Sequence, residues 1–377
     1  MEKSQLHFLR RDRRALDRFR TCVSLHSHTM HSEESLAPLQ RYVSRIPIAR
    51  TVFRVLEERY RLATGRPFDY LRACWTPPLP AHVAYAVERD QIENGLGLAS
   101  LVSLTDHDNI LAGTRLQVLE SARGIPVSLE WTVPQGISFL HLGVHNLPPA
   151  RADALVREMA AFTRRPSRSL LAELLAGLQG SKDTLIVLNH PLWDELRIGA
   201  PAHFRMVSEF LRDHRLWIHA LEVNGLRPWA ENGTVMRLAR ALGYPVVSGG
   251  DRHGSTANTV LNLTRASSFS EFAAEIRQHR VSEILVTPQC GGPHDLRYIE
   301  CTLDIVREYP ELAGRRDWMD RAFCREEDGS VVPLSAYWGA GFLSLGTWPL
   351  SLTRLFHSRA LRSAVRAALA VCQESPV

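Results

Sequence analysis

The chain has 377 residues, 45% of them hydrophobic and 23% charged, so it can form one large barrel or two ordinary domains and is too apolar for a long disordered protein. A formal net charge of +5 mildly favours anionic partners, but an excess this small is ordinary for a protein surface. Six widely spaced cysteines without a CxxC pair exclude a disulfide scaffold and a zinc ribbon. With no apolar leader at the N-terminus, these features predict a cytoplasmic enzyme.

Seven short apolar runs predict buried strands, and helical patterns separate most of them. The strands are expected at about 19–26, 98–105, 126–132, 138–144, 184–189, 218–224 and 245–250. The helical patterns lie at 81–95, 112–123, 150–180, 203–215, 231–243 and 269–280. This repeated alternation of strand and helix indicates a parallel sheet, either open or closed into a barrel.

Metal-ligand residue types follow several of these strands. They are His26 and His28, Asp106 to Asp108, Glu130, His190, and Asp251 with His253, while His141 and Glu222 lie inside their runs. Alternate residues of a strand face the same side, so the two imidazoles of His26 and His28 can hold one ion. In a barrel the carboxyl ends of the strands form one face, where catalytic groups converge. The sequence therefore predicts a metal site at that face.

The ordered motifs resemble those of the PHP (polymerase and histidinol phosphatase) family over about residues 19–265. The matching segments are His26-Ser27-His28-Thr29, Ser32-Glu33-Glu34, Thr105-Asp106-His107-Asp108, Glu130, His141, His190-Pro191 and Gly249-Gly250-Asp251-Arg252-His253. The resemblance implies a distorted (β/α)7 TIM-like barrel that binds two to three divalent transition metal ions. The implied ligands are His26, His28, Glu33, His107, Glu130, His141, His190, Asp251 and His253. Because Ser32-Glu33-Glu34 replaces the family's SDG, either glutamate could be the ligand, and Glu33 is preferred.

The resemblance also implies metal-dependent hydrolysis of a phosphate ester, with a small phosphorylated molecule as substrate. Mixed imidazole and carboxylate ligands suit Mn, Fe or Zn. Glu130 is expected to bridge two ions that share a hydroxide. The residues expected to serve catalysis are Asp106, which would orient an imidazole, His253 and Glu130. Arg227 and Arg252 adjoin ligand motifs and are expected to contact the phosphoryl oxygens, whereas the general acid and the role of Glu222 remain open.

Two other functions compete with this hypothesis. A nuclease acting on nucleic acid ends is less favoured, because no basic groove with stacking aromatics is evident. A non-catalytic metal-binding scaffold is disfavoured by the intact ligand set. The sequence does not indicate the oligomeric state.

The predicted catalytic barrel spans 1–284, and 285–377 form a C-terminal extension of unknown role. A helical insert at about 36–80 is rich in arginine, including Arg41, Arg45, Arg50, Arg54, Arg59 and Arg61. This insert is either a cap that holds a phosphate or a solvated helix face. The uncharged segment 333–353 contains prolines and glycines, so we interpret it as a loop-rich extension rather than a membrane segment.

Overall fold

The computed structural model describes residues 4–37, 47–291, 294–326 and 328–338. Its strands are β1 (Ser4–Phe8), β2 (Thr21–Leu25), β3 (Glu34–Ser35), β4 (Ala73–Trp75), β5 (Ala99–Ser103), β6 (Leu129–Gln135), β7 (Ser138–His145), β8 (Leu185–Leu188), β9 (Ala220–Asn224), β10 (Val246–Gly249), β11 (Val260–Thr264), β12 (Ser282–Val286), β13 (Ala322–Arg325) and β14 (Val331–Pro333). They form two five-stranded sheets, β1-β12-β11-β2-β5 and β10-β9-β8-β7-β6, and a four-stranded sheet, β14-β13-β4-β3. The chain is therefore a mixed α/β protein.

Helices connect most of these strands. They are α1 (Pro47–Thr64), α2 (Ala81–Asp90), α3 (Leu111–Leu116), α4 (Ala152–Arg164), α5 (Arg168–Gln179), α6 (Ala200–Asp213), α7 (Trp229–Leu242), α8 (Phe269–Ala274), α9 (His294–Val306), α10 (Trp318–Arg321) and α11 (Leu334–Trp338). The pattern predicted as one helix at 150–180 is divided at Pro166, and Ser167 caps α5 by accepting the Leu170 N–H at 3.3 Å. Within the described parts of the chain, no helix is both long and apolar enough to cross a membrane.

Each of the seven predicted strands is present, as β2 and β5 to β10, but the closed barrel is not found. The described strands form ladders in open sheets, and β7 runs antiparallel to both β6 and β8. Strands β6 and β7 are antiparallel because a two-residue turn connects Gln135 to Ser138. In this turn Gly136 adopts a φ of 59°, and the chain reverses its direction. The expectation of a purely parallel sheet is therefore also wrong.

Two single bridges join the two five-stranded sheets. One pairs His107 with Glu130, and the other pairs Ser27 with Arg252. Backbone hydrogen bonds flank both bridges, for example from Asp108 N to Glu130 O at 2.9 Å and from His28 N to Arg252 O at 2.8 Å. The residues that the sequence singles out for chemistry therefore lie where the two sheets meet.

The largest apolar core lies between the β6 to β10 sheet and helices α4 to α7. Trp131 and Phe162 are fully buried in it, with ring centroids 5.4 Å apart, and Leu188 and Val223 come from the neighbouring strands. The Trp131 indole N–H donates to Thr163 Oγ1 at 3.1 Å, so its polar atom is satisfied. This core fixes the positions of strand ends that carry Glu130, His190 and Glu222.

The four-stranded sheet combines the predicted insert with the C-terminal region. Strands β3 and β4 pair with each other, and β4 pairs with β13. Helix α1 packs on this sheet through Leu56 and Tyr60. Arg41 and Arg45 lie outside the described residues, as do 339–377. None of Arg50, Arg54, Arg59 and Arg61 lines the cavity described below, and Arg61 pairs with Glu58 on the exposed face of the helix.

Candidate metal centre

Several strand ends turn sharply at residues of the site. His26, Asp108, His190 and Asp251 have φ values of 64°, 52°, 25° and 51°. This left-handed region is unfavourable for residues with a Cβ, so the surrounding structure must hold them there. The turns keep the side chains at the junction of the sheets.

Glu130 lies at the centre of a buried cluster of histidines. Its Oε2 is 3.1 Å from His26 Nε2, 3.4 Å from His28 Nε2 and 3.4 Å from His107 Nε2. Its Oε1 is 3.1 Å from His190 Nε2 and 3.6 Å from His141 Nδ1, and it accepts a hydrogen bond from Asn189 Nδ2 at 2.9 Å. One carboxylate therefore contacts five imidazoles, an arrangement suited to bridging neighbouring ions.

Three atoms of this cluster, His26 Nε2, His28 Nε2 and Glu130 Oε2, lie close enough together to hold one ion, and Asp251 lies beside the two imidazoles. Asp251 Oδ1 lies 3.7 Å from His26 Nε2 and 3.5 Å from His28 Nε2, and both nitrogens are close to Glu130 Oε2. Ligand bonds of about 2.1 Å in a tetrahedron place ligand atoms about 3.4 Å apart, close to these separations. His26 Nε2, His28 Nε2 and Glu130 Oε2 are buried without a hydrogen-bond partner in the described structure. Such atoms are costly unless a cation satisfies them, so the donor set fits a metal ion.

A second group of ligand atoms adjoins the first. Glu34 Oε2 lies 3.1 Å from His107 Nε2, and Glu34 Oε1 lies 3.3 Å from His253 Nε2. The ring of His253 stacks on that of His28 with centroids 4.2 Å apart. His28, Glu34, His107 and His253 can together hold an ion, and so can His107, Glu130 and His141 or His26, His190 and Asp251.

The ligand preferred from the sequence, Glu33, is not part of the cluster. Its carboxylate is half exposed and pairs with Arg325 Nη2 at 2.8 Å. Glu34 begins strand β3, where it pairs with Trp75, and consecutive residues there face opposite sides. The side chain of Glu34 therefore points inward, and it replaces Glu33 in the candidate ligand set.

Hydrogen bonds orient three of the imidazoles. His26 Nδ1 donates to Glu222 Oε1 at 2.6 Å, His253 Nδ1 donates to the Asp251 carbonyl at 2.9 Å, and His28 Nδ1 lies 3.3 Å from Ser32 Oγ. In each ring Nε2 is then left with its lone pair toward the cluster, as in metal-binding histidines. Glu222 also accepts the His190 backbone N–H at 2.6 Å. The role of Glu222 that the sequence left open is therefore to orient two candidate ligands.

The charge states of the cluster suit cation binding. Burial lowers the pKa of His28 to about 4 and that of His141 to about 3, so both imidazoles are neutral at pH 7 and can act as ligands. Burial alone would raise the pKa of Glu130, but the surrounding imidazoles, first His26, lower it well below its ordinary value. Burial likewise opposes protonation of His107, but Glu34 and Glu130 raise its pKa well above its ordinary value. A bound cation would displace such a proton.

Two expected site residues lie elsewhere. Asp106 does not orient an imidazole, because its carboxylate accepts hydrogen bonds from Thr29 N at 2.6 Å and Thr29 Oγ1 at 2.8 Å. Burial, opposed by these bonds, raises the pKa of Asp106 to about 6. Arg252 is buried, and its Nε donates to Glu88 Oε1 at 2.6 Å, so its guanidinium cannot reach a phosphoryl group in the cavity. Both residues fix the loops that carry the ligands.

A cavity of about 460 Å³ opens over the cluster. Arg227 lines it, with Nη2 3.4 Å from Asp251 Oδ2 and the guanidinium 3.8 Å above the Trp193 ring. Arg227, which was expected to contact the substrate, is therefore one of the residues that line this cavity. Glu195, which the sequence did not single out, also lines the cavity, and burial raises the pKa of its carboxyl. No strand end or motif marks Glu195, so only the folded loop after His190 reveals it.

No family model matches the chain, and no curated protein matches it. Solved structures resemble it at low levels. PsfC from Pseudomonas syringae is 14% identical, over 72% of this chain and 93% of that one, with a TM-score of 0.40. An amidohydrolase from Chromobacterium violaceum, with bound sulfate and no metal, is 16% identical over 61% and 87% of the two chains, with a TM-score of 0.32. A Bifidobacterium adolescentis protein provisionally described as a metal-dependent phosphoesterase is 12% identical over 70% and 96%, with a TM-score of 0.34.

Proposed function

We propose that the chain is a metal-dependent hydrolase of phosphate esters and a relative of the PHP family. The observation that carries this proposal is the convergence of three buried ligand atoms, His26 Nε2, His28 Nε2 and Glu130 Oε2, which have no hydrogen-bond partner in the described structure. Asp251 Oδ1 lies beside the two imidazoles. Mixed imidazole and carboxylate ligands favour Mn, Fe or Zn over Mg and Ca. Because Glu130 belongs to two adjoining groups of ligands, we propose two to three ions.

The ligands in this proposal are His26, His28, Glu34, His107, Glu130, His141, His190, Asp251 and His253. Divalent ions at such a site supply Lewis-acid polarisation of phosphoryl oxygens and acidify water. Glu222 holds His26 in the tautomer that exposes Nε2 to the ion. The buried ligand cluster and the neutral imidazoles of His28 and His141 support a catalytic centre at the floor of the cavity.

The positive charge of Arg227 beside this cluster suits an anionic substrate such as a phosphate ester. Arg227 is buried, and both the Asp251 carboxylate and the Trp193 ring hold its guanidinium in place. A planar, fixed guanidinium can donate two hydrogen bonds to a phosphoryl group, and its charge opposes the negative charge that grows in the transition state. In this proposal Arg227 therefore binds the phosphoryl oxygens.

Glu195 is the general acid in this mechanism. Its carboxyl lines the cavity beside His141 and His190, and burial favours its protonated form. As a water oxygen bonds to phosphorus, the bond from phosphorus to the ester oxygen breaks, and the Glu195 proton passes to that oxygen to release an alcohol. The proton lost by the attacking water then restores the acid.

Metal content and hydrolysis, measured on the same preparation, test the proposal. After loading with Mn, Fe or Zn, elemental analysis should find two to three ions per chain. The protein should hydrolyse 4-nitrophenyl phosphate or its diester, and a chelator should abolish turnover. A preference for nucleic acid ends over small esters would favour the nuclease instead. Bound metal without turnover of any phosphate ester would favour the scaffold, and absence of bound metal would overturn the proposal as a whole.

A further inference from the structure

The cavity has two unlike sides. The ligand cluster and Arg227 form one side. The lining also includes a group of residues that we call the apolar wall, comprising Leu36, Trp75, Tyr298, Ile305, Val306 and Trp318. These residues come from the predicted insert and from the region after 285, so parts of the chain outside the ligand motifs shape the cavity.

Helix α9, which supplies Tyr298, Ile305 and Val306, is fastened to the loops of the site. Near its C-terminal end, Asp304 accepts hydrogen bonds from the backbone N–H of Ser255 and from Ser255 Oγ, the latter at 2.9 Å. At its N-terminal end, the His294 ring donates to the Leu226 carbonyl at 3.0 Å. These loops carry His253 and Arg227, so the wall is held at a fixed distance from the proposed phosphoryl site.

The wall presents apolar surface that the described residues leave partly uncovered. Tyr298 is 39% exposed although it lies beside a cavity, and Ile305 and Trp318 are only partly buried. The surface continues to the ligand cluster, since the Trp75 ring lies 5.7 Å from that of His253. An apolar ligand group gains free energy by covering such surface, whereas a polyhydroxylated group would lose hydration without compensation.

We infer that the alcohol part of the substrate is aromatic or bulky and apolar, and that Ile305 on α9 helps to select it. This inference rests on the proposed function, because it assumes that the phosphoryl group binds at the metal cluster. If the phosphoryl group binds there, the apolar wall determines which alcohol group is accepted and takes no part in breaking the ester bond. The region after 285 thereby acquires a role in substrate selection.

Binding of two non-hydrolysable phosphonates tests the inference. Phenylphosphonate and methylphosphonate carry the same charged group and differ only in the apolar group attached to phosphorus. A difference between their affinities for the Mn-loaded protein, measured by calorimetry, therefore reports contact of that group with the apolar wall. We expect phenylphosphonate to bind at least about tenfold more tightly. Ile305→Ala should remove most of this preference and leave methylphosphonate affinity unchanged. Ile299→Ala, on the same helix but outside the cavity lining, is the matched control and should bind as the wild type does.

The two proposals fail in different ways. Equal affinity for both phosphonates in the wild type would overturn the apolar-wall inference while leaving the phosphoesterase proposal standing. Equal loss of both affinities in Ile305→Ala, with metal content and circular dichroism as in the wild type, would overturn the assignment of selectivity to Ile305. Absence of phosphonate binding together with absence of phosphate ester hydrolysis would overturn the proposed function itself.

Discussion

Adjacent residues of this chain have opposite environments, and the clearest case is Glu33 and Glu34. The carboxylate of Glu34 lies between His107 and His253, whereas that of Glu33 is exposed and pairs with Arg325. Glu34→Ala should therefore lose about one ion per chain, because it removes the carboxylate from one ligand group. Glu33→Ala should retain the full metal content. Elemental analysis of both purified variants checks this prediction, and equal metal loss in the two would contradict it.

The sequence predicted most residues of the site but not their partners. Histidines and carboxylates at strand ends are visible in the sequence because apolar runs precede them. The choice between Glu33 and Glu34 depends on the pairing of β3 with β4, some forty residues later, which no local pattern reveals. The same limit applies to Arg252, because its partner Glu88 is on a helix 164 positions away.

Glu195 gives a prediction about pH. Burial raises the pKa of its carboxyl, so the acid is protonated at higher pH than an ordinary glutamate, and turnover should fall as the pH rises through that pKa. Glu195→Gln should lower kcat for phenyl phosphate by about 10² or more, and for 4-nitrophenyl phosphate far less, because nitrophenolate leaves without a proton. The alkaline fall assigned to Glu195 should disappear in the variant. Equal losses for both esters in measured pH–rate profiles would contradict this role.

At the scale of elements, a buried ion pair fastens α2 to the loop after β10. Glu88 is fully buried, and it accepts hydrogen bonds from Arg252 Nε at 2.6 Å, Ser24 Oγ at 2.8 Å and the Asn258 N–H at 3.2 Å. Removing one partner leaves the other charge buried and unpaired. Glu88→Ala should therefore lower the free energy of unfolding by about 3–5 kcal/mol.

Urea denaturation followed by circular dichroism measures this change. Glu93→Ala is the matched control, because Glu93 follows α2 and forms a largely exposed pair with Arg89 at 3.8 Å. Loss of the exposed pair between Arg89 and Glu93 should change the free energy of unfolding by less than about 1 kcal/mol. A Glu88→Ala protein as stable as this control would show that the pair does not fasten the loop.

Strand positions could be read from the sequence, but the pairing of strands could not. Apolar runs mark β2 and β5 to β10 because these strands are buried. Whether β7 runs parallel or antiparallel depends on the turn at Gly136, and the two sheets meet through single bridges that leave no trace in composition. Close approaches are equally hidden, since a Cβ at Gly249 would clash with Glu222 Oε1. The apolar runs therefore identified the strands correctly, whereas the closed barrel implied by the family resemblance was wrong.

Over the whole molecule, buried neutral histidines link stability to pH, and His219 is one that belongs to none of the candidate ligand groups. Its Nδ1 accepts the Ile186 N–H at 2.8 Å, and its Nε2 donates to Gln179 Oε1 at 2.6 Å. Burial, aided by Arg277 and Arg280, lowers the pKa of His219 to about 3. The unfolded chain takes up this proton near pH 6.5 and the folded chain only near pH 3, so the folded state loses stability as the pH falls between these values.

We predict that His219 makes the free energy of unfolding fall by up to about 1.4 kcal/mol for each unit of pH below 6.5. His219→Asn keeps an acceptor for the Ile186 N–H but binds no proton, so unfolding of this variant should depend less steeply on pH, by about one proton. His82→Asn, at an exposed position on α2, is the matched control. Urea unfolding at several pH values between 4.5 and 7 gives the slopes. If His219→Asn and the wild type have the same slope, the folded protein binds a proton at His219 as readily as the unfolded chain, and the buried neutral imidazole is not a source of acid sensitivity.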